Sequence, residues 1–199
     1  AVESHAGRLK RGDGTPENRL EEFTKLNPAA TTPFVELEDG TVLAESVAIA
    51  RYADALYPEG PRLLGGPDPK RAAEVEMWLM RTMLQIIVPW QRSFQAGEAA
   101  PYFATSKLHP WTEAAGAAVP SLRMMVTSNL EWLEGLMAAR GPDEFIAGGP
   151  ELTLVDLQLY TTSTFMAKVN TAKRTPPFDG RDAYGPWLKA WEERMAGVV

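Results

Sequence analysis

Apolar positions recur at two periods along this chain, and the change of period organises it. Leu20, Phe23 and Leu26 fall on one helical face, in a helix that Thr15 can cap and Pro16 can open. Pro28 disfavours the α conformation of the residue before it, so this helix should stop at Asn27. Residues 32–37 and 41–43 are short β-prone runs around Asp39-Gly40, the pattern of a hairpin. From Glu45 the spacing turns helical: Val47, Ile49, Ala50, Tyr52, Ala53 and Leu56 fit a buried helix face that ends near Tyr57.

Residues 58–67, PEGPRLLGGP, read as a linker. Beyond them the pattern is almost wholly helical. Asp68-Pro69 opens a long helix with Ala72, Val75, Met77, Leu79, Met83, Ile86 and Ile87, and Pro89 should kink or end it. Residues 96–118, rich in Ala, Gly and Pro, predict a loop or short helical pieces. A second long helix covers 121–139, a third starts at Thr153, and the last covers 186–195. The fold class is therefore α+β: a small mixed domain over 1–58 and an all-helical bundle over 67–199. A lone hairpin needs at least a third strand to be stable. Residues 1–5 can supply the end of one strand, and the chain begins with Ala1 rather than Met, so the rest of the sheet is expected upstream.

Composition narrows the chemistry. With 45% hydrophobic and 23% charged residues the chain is globular rather than disordered. It has no cysteine, which removes disulfides, thiolate metal sites and a cysteine nucleophile within these residues. The apolar run at Ile86, Ile87 and Val88 is far short of the roughly 20 residues that cross a bilayer, so no membrane partner is expected. The net charge of −6 argues against nucleic acid. Most of it lies in residues 1–59, which hold 6 Lys and Arg against 11 Asp and Glu. His5 and His109 stand apart with no metal-ligand spacing, so no metal is expected. Arg11-Gly12-Asp13 is read as a polar loop.

Two short stretches carry candidate chemistry. Thr32-Pro33 sits at a strand start, where a proline cannot donate a ladder hydrogen bond. It is either an ordinary trans strand start or a cis bond that turns the Thr32 backbone toward an extended peptide ligand. Glu45-Ser46 opens a helix. Its free N–H groups and the Ser46 hydroxyl could take a carboxylate while Glu45 takes an ammonium, together reading an α-amino-acid head group. Simple N-capping is the alternative.

The order Leu26-Asn27-Pro28, Thr32-Pro33-Phe34, Asp39-Gly40-Thr41-Val42-Leu43-Ala44-Glu45-Ser46 and Ala48-Ile49-Ala50-Arg51-Tyr52 resembles the cytosolic glutathione transferase superfamily, bacterial type. Thr153-Leu154-Val155-Asp156, preceded by Phe145-Ile146-Ala147-Gly148, resembles the capping box of that family's helical domain, and residues 184–195 resemble its last helix. The resemblance implies a thioredoxin-like first domain, here lacking its first strand and helix, and a helical second one. It implies glutathione as co-substrate. The Thr32 backbone would hold the cysteinyl unit beside a cis Pro33, and Glu45 and Ser46 would hold the γ-glutamyl end. The residue that activates the thiol would precede Asn27 by more chain than the 26 residues present, so it is expected upstream and none is named here. The apolar electrophile would lie against the helix after the linker, at Trp90 and Phe94. The implied protein is a cytoplasmic, homodimeric detoxification enzyme. The rivals are a non-catalytic dimerisation or ligand-binding module and a glutathione-dependent ether-cleaving or dehalogenating enzyme.

Overall fold

A computed structural model describes residues 3–5, 20–103, 112–171 and 178–198. Thr15, Pro16, the Arg11-Gly12-Asp13 triplet and His109 lie outside the described residues. The chain divides into two compact units, Ala1–Gly60 and Pro61–Val199.

The first unit is a three-stranded antiparallel sheet with two helices. Strand β1 (Glu3–His5) pairs with β2 (Phe34–Glu36), placing Ser4 opposite Val35, and β2 pairs with β3 (Val42–Ala44), placing Val35 opposite Leu43. The third strand that the hairpin requires thus comes from the first few residues of the chain. The β2–β3 connection is the expected one. Gly40 takes φ +81°, which a side chain resists, and the Thr41 N–H donates to Asp39 Oδ1 at 2.9 Å. Helix α1 (Glu21–Leu26) ends at Asn27, before Pro28. Its Phe23 meets Phe34 of β2 edge to face, with ring centres 4.8 Å apart, and both rings are buried. Helix α2 (Ser46–Leu56) follows β3 directly.

The second unit is helical. Part of the linker belongs to it: Leu64 is buried, and the Leu63 carbonyl accepts from the Leu154 N–H at 2.9 Å. Gly65, at φ +91°, lies so close to α3 that a Cβ would come within 2.7 Å of the Ala72 backbone. Helix α3 (Pro69–Thr82) is capped by Asp68, whose carboxylate accepts from the Lys70 N–H. Pro89 neither ends nor replaces the helix. The chain widens into a π turn over Met83–Ile87, with the Val88 N–H bonded to the Met83 carbonyl, and continues as α4 (Val88–Ala96). The wider turn accommodates a residue that has no N–H to give and whose ring would crowd the carbonyl four residues back. Short helices α5 (Ala100–Phe103) and α6 (Glu113–Ala117) lead to α7 (Val119–Met137). Helices α8 (Leu154–Thr171) and α9 (Pro186–Ala196) complete the bundle, with a 3₁₀ turn at Gly180–Ala183 before α9.

Two carboxylates tie the bundle together, Asp156 buried and Glu134 half-buried. Asp156 is fully buried. Its Oδ1 accepts from Ile146 N at 2.9 Å and Trp191 Nε1 at 3.0 Å, and its Oδ2 from Thr153 N at 3.1 Å and Thr153 Oγ1 at 2.7 Å. Asp156 reaches back as a capping box requires, while the Thr153 hydroxyl donates its proton to the same carboxylate. Burial holds the Asp156 carboxyl above its ordinary value, and these donors offset only part of that rise. Glu134 of α7 caps α9 from outside: its two oxygens accept from the N–H groups of Trp187 and Leu188 at 2.9 and 2.8 Å.

Candidate functional site

In the first unit the loop after α1 is fixed from below by Asn27. Its side chain is buried, and its Nδ2 donates to the Thr31 carbonyl at 2.8 Å while its Oδ1 accepts from Ala29 N at 3.3 Å. Its carbonyl accepts from Ala30 N at 2.9 Å. An asparagine can bond the backbone just ahead of it in this way, and here that shapes a turn in which Ala30 takes φ +55°. Asn27 was legible in the sequence as a helix stop but not as this clamp. The turn delivers Thr32 and Pro33 to the surface, both exposed, joined by a cis peptide bond.

Glu45 and Ser46, also exposed, form the start of α2. Glu45 stands at φ +70°, ψ +121°, a conformation that residues with a Cβ rarely adopt, and its side chain makes no cap bond. It occupies the cap position without capping the helix. Backbone outliers of this kind cost of order 1–3 kcal/mol and cluster where a ligand is held. The first turn of α2 contains no acidic residue to occupy its N–H groups. The N–H groups of the α2 start and the uncapping carboxylate of Glu45 thus stand side by side.

In the second unit the two aromatic candidates differ. Trp90 is 1% exposed, packed edge to face on Phe178 at 6.3 Å and lying under Gly180. Phe94, one turn later on α4, is half-buried and meets Phe165 of α8 edge to face at 6.0 Å, with Phe165 itself 37% exposed. Nothing local marks Phe165 as a neighbour of Phe94, because α4 and α8 are far apart along the chain. Among the described residues no group of three or more His, Cys, Asp or Glu could hold a metal ion. Among them, too, no helix is long and apolar enough to cross a membrane.

Residues 10–56 match the family described as the glutathione S-transferase N-terminal domain. The chain is 37% identical over 73 residues to glutathione S-transferase 2 of Saccharomyces cerevisiae, which covers 37% of this chain and 30% of that one. It is 27% identical over 158 residues to maleylacetoacetate isomerase of Dictyostelium discoideum, covering 75% and 63%. The chain thus spans less than two thirds of the length of these curated relatives. Its structure superposes on Gtt2 from Saccharomyces cerevisiae with a TM-score of 0.66 and 26% identity, over 90% of this chain and 77% of that one. The first unit is accordingly a thioredoxin-like domain and the second the helical domain that follows it in such proteins, so that the chain is similar to glutathione transferases in fold throughout and in sequence most clearly over its first unit.

Proposed function

We propose that the first unit binds glutathione and that the protein transfers the thiolate of this co-substrate to an electrophilic carbon of an apolar small molecule. One observation carries the reading: Glu45, an exposed carboxylate on a left-handed residue at the open start of α2, serves no cap. The Ser46 hydroxyl and the free N–H groups of α2 would take the carboxylate of the γ-glutamyl end, and Glu45 its ammonium group. The Thr32 backbone, beside Pro33, would pair with the cysteinyl unit as an added strand does. Hydrogen bonding or positive charge near the bound thiol would lower its pKa and raise the thiolate fraction near neutral pH. No residue described here is assigned that activating role. The electrophile would rest on Phe94 and Phe165, with Trp90 supporting them from within the bundle.

Two further parts of the reading follow. A cytoplasmic setting fits a glutathione-dependent enzyme, because glutathione is held reduced there. A homodimer would cover Met77, Met80 and Leu84, exposed at helical spacing along α3 and the π turn, together with Met125, Trp132 and Leu136 on one flank of α7.

Titration calorimetry with glutathione tests the binding; no heat at millimolar ligand with a folded protein would overturn it. The 158-residue match to an isomerase favours a second reading, in which the thiol is regenerated at each turnover. Glutathione recovered undiminished after turnover would favour isomerisation, and loss of free thiol in step with product would favour transfer.

A further inference from the structure

The chain's 8 methionines fall into two groups by exposure. Met137, Met166 and Met195 are buried, and Met83 of the π turn is half-buried. Met77, Met80, Met124 and Met125 are between 40% and 65% exposed, and all four stand on α3 or α7. Those two helices meet at one seam, where Trp78 of α3 lies 6.2 Å from Trp132 of α7. Met77 and Met80 flank the seam on α3, and Met125 lies two turns before Trp132 on α7. With no cysteine in these residues, no thiol of the chain competes with the exposed thioethers for an oxidant.

The seam also carries two guanidinium groups on the same indole. Arg81 and Arg140 each lie 5.2 Å from the centre of the Trp78 ring. Arg140 donates as well to the Ile146 carbonyl at 3.0 Å, while Arg81 has no hydrogen-bond or ion-pair partner among the described residues. Met77 precedes Arg81 by four positions on α3, so the two side chains are neighbours on the helix surface. A second copy of this chain suits such a face. Its residues 1–59 hold 6 Lys and Arg against 11 Asp and Glu, an excess of carboxylates that can answer the two arginines as the apolar side chains are covered.

We propose that Met77, Met80 and Met125 form an oxidation site that switches self-association off, with a hydroperoxide as the oxidant. The proposal rests on the homodimer reading and adds its regulation. A sulfur lone pair attacks one oxygen of the peroxide. The S–O bond forms as the O–O bond breaks, the sulfur gives up two electrons, and the proton of the transferred oxygen leaves with the departing hydroxide as water. The sulfoxide is polar where the thioether was apolar, so the seam gains less by leaving water. At Met77 it does more. The new oxygen stands one turn from Arg81, accepts from the guanidinium, and withdraws that cation from the carboxylates of the second copy.

Sedimentation velocity tests this, with the sulfoxides located by peptide mass spectrometry. Untreated protein should sediment as two chains. Once hydrogen peroxide has oxidised Met77, Met80 and Met125 it should sediment as one, and methionine sulfoxide reductases for both epimers should restore the pair. Met77→Leu, Met80→Leu and Met125→Leu together keep the apolar volume, so this variant should stay paired after the same treatment. The switch is overturned if the oxidised unaltered protein stays paired, or if the triple variant dissociates as readily. A single chain before any oxidation would overturn the homodimer reading and the switch with it. Met124, about 100° around α7 from Met125, serves as the internal reference. The rate of Met80 oxidation relative to that of Met124 should fall severalfold as the protein is concentrated into pairs. An unchanged ratio would put Met80 outside the interface and overturn the proposal as well.

Discussion

The indole N–H of Trp191 donates to Oδ1 of Asp156 at 3.0 Å, inside a bundle where both side chains are fully buried. This bond joins α9 to the start of α8, and the same oxygen accepts from Ile146 in the loop before α8. Asp156→Ala would leave the N–H groups of Ile146, Thr153 and Trp191 without acceptors. The loss should reach about 3 kcal/mol or more, above the 0.5–2 kcal/mol of an ordinary cap. Urea unfolding followed by far-UV circular dichroism measures it, and a loss below about 1 kcal/mol would contradict the arrangement.

Gly185→Ala should destabilise α9 for a different reason. The added Cβ would lie 2.5 Å from the Glu134 carboxylate that caps the helix. Either the carboxylate retreats and strands two N–H groups, or the start of α9 shifts, at a cost of roughly 1–3 kcal/mol. Glu134→Ala in the Gly185→Ala background should then cost much less than it does alone, and a double-mutant cycle reads the coupling.

Glu45 offers a test that separates ligand from fold. Glu45→Gly removes the backbone penalty at φ +70° and should leave the first unit at least as stable, while glutathione affinity falls by roughly tenfold or more. Glu45→Ala should lose the same affinity with no gain in stability. Calorimetry and thermal unfolding on both variants decide the matter; unchanged affinity in both would remove Glu45 from the site.

The Asp39 carboxyl is held below its ordinary 3.8 by the Thr41 N–H. The unfolded chain therefore takes up a proton on Asp39 before the folded hairpin does. The stability this supplies is present above about pH 4 and is lost as pH falls through the lowered folded value. Asp39→Asn, which keeps the acceptor, should flatten the acid limb of the stability profile below pH 4 and leave neutral stability nearly unchanged. Parallel acid limbs for the two proteins would refute it.

If a second copy covers the methionine stripe, Met80→Glu with Leu84→Glu should yield a monomer in sedimentation, because both side chains are exposed and their replacement disturbs no core. An unchanged mass would place any interface elsewhere.

The parts of this molecule that were readable from sequence are those whose causes are local. Asp39-Gly40 sets the hairpin turn, Pro28 ends α1 at Asn27, and Asp68-Pro69 opens α3, each through neighbours within a few residues. The Glu45-Ser46 helix start was visible too, but not the left-handed backbone of Glu45, which no propensity would suggest for a glutamate. What could not be read is what long-range packing decides. Trp90 looked available because its own helix says nothing about Gly180 and Phe178, which cover it from far along the chain. Pro89 was read as a kink or an end of the helix, and a π turn just before it was not foreseen, because the rule for prolines in helices assumes regular α turns. Asp156 was legible as a partner of Thr153, but its two distant donors, Ile146 and Trp191, were not.

The π turn at Met83–Ile87 has one more effect. It holds a residue more than a regular turn would, and each residue of an α-helix advances the side-chain direction by about 100°. Everything after it is therefore set out of phase with α3. Deleting one residue there, for example Leu84, which is 57% exposed, would remove the extra residue and swing Trp90 and Phe94 off the faces they now occupy. The position of both aromatics is thus a matter of counting: a single extra link, placed just before a proline, fixes which way the rest of the helix looks.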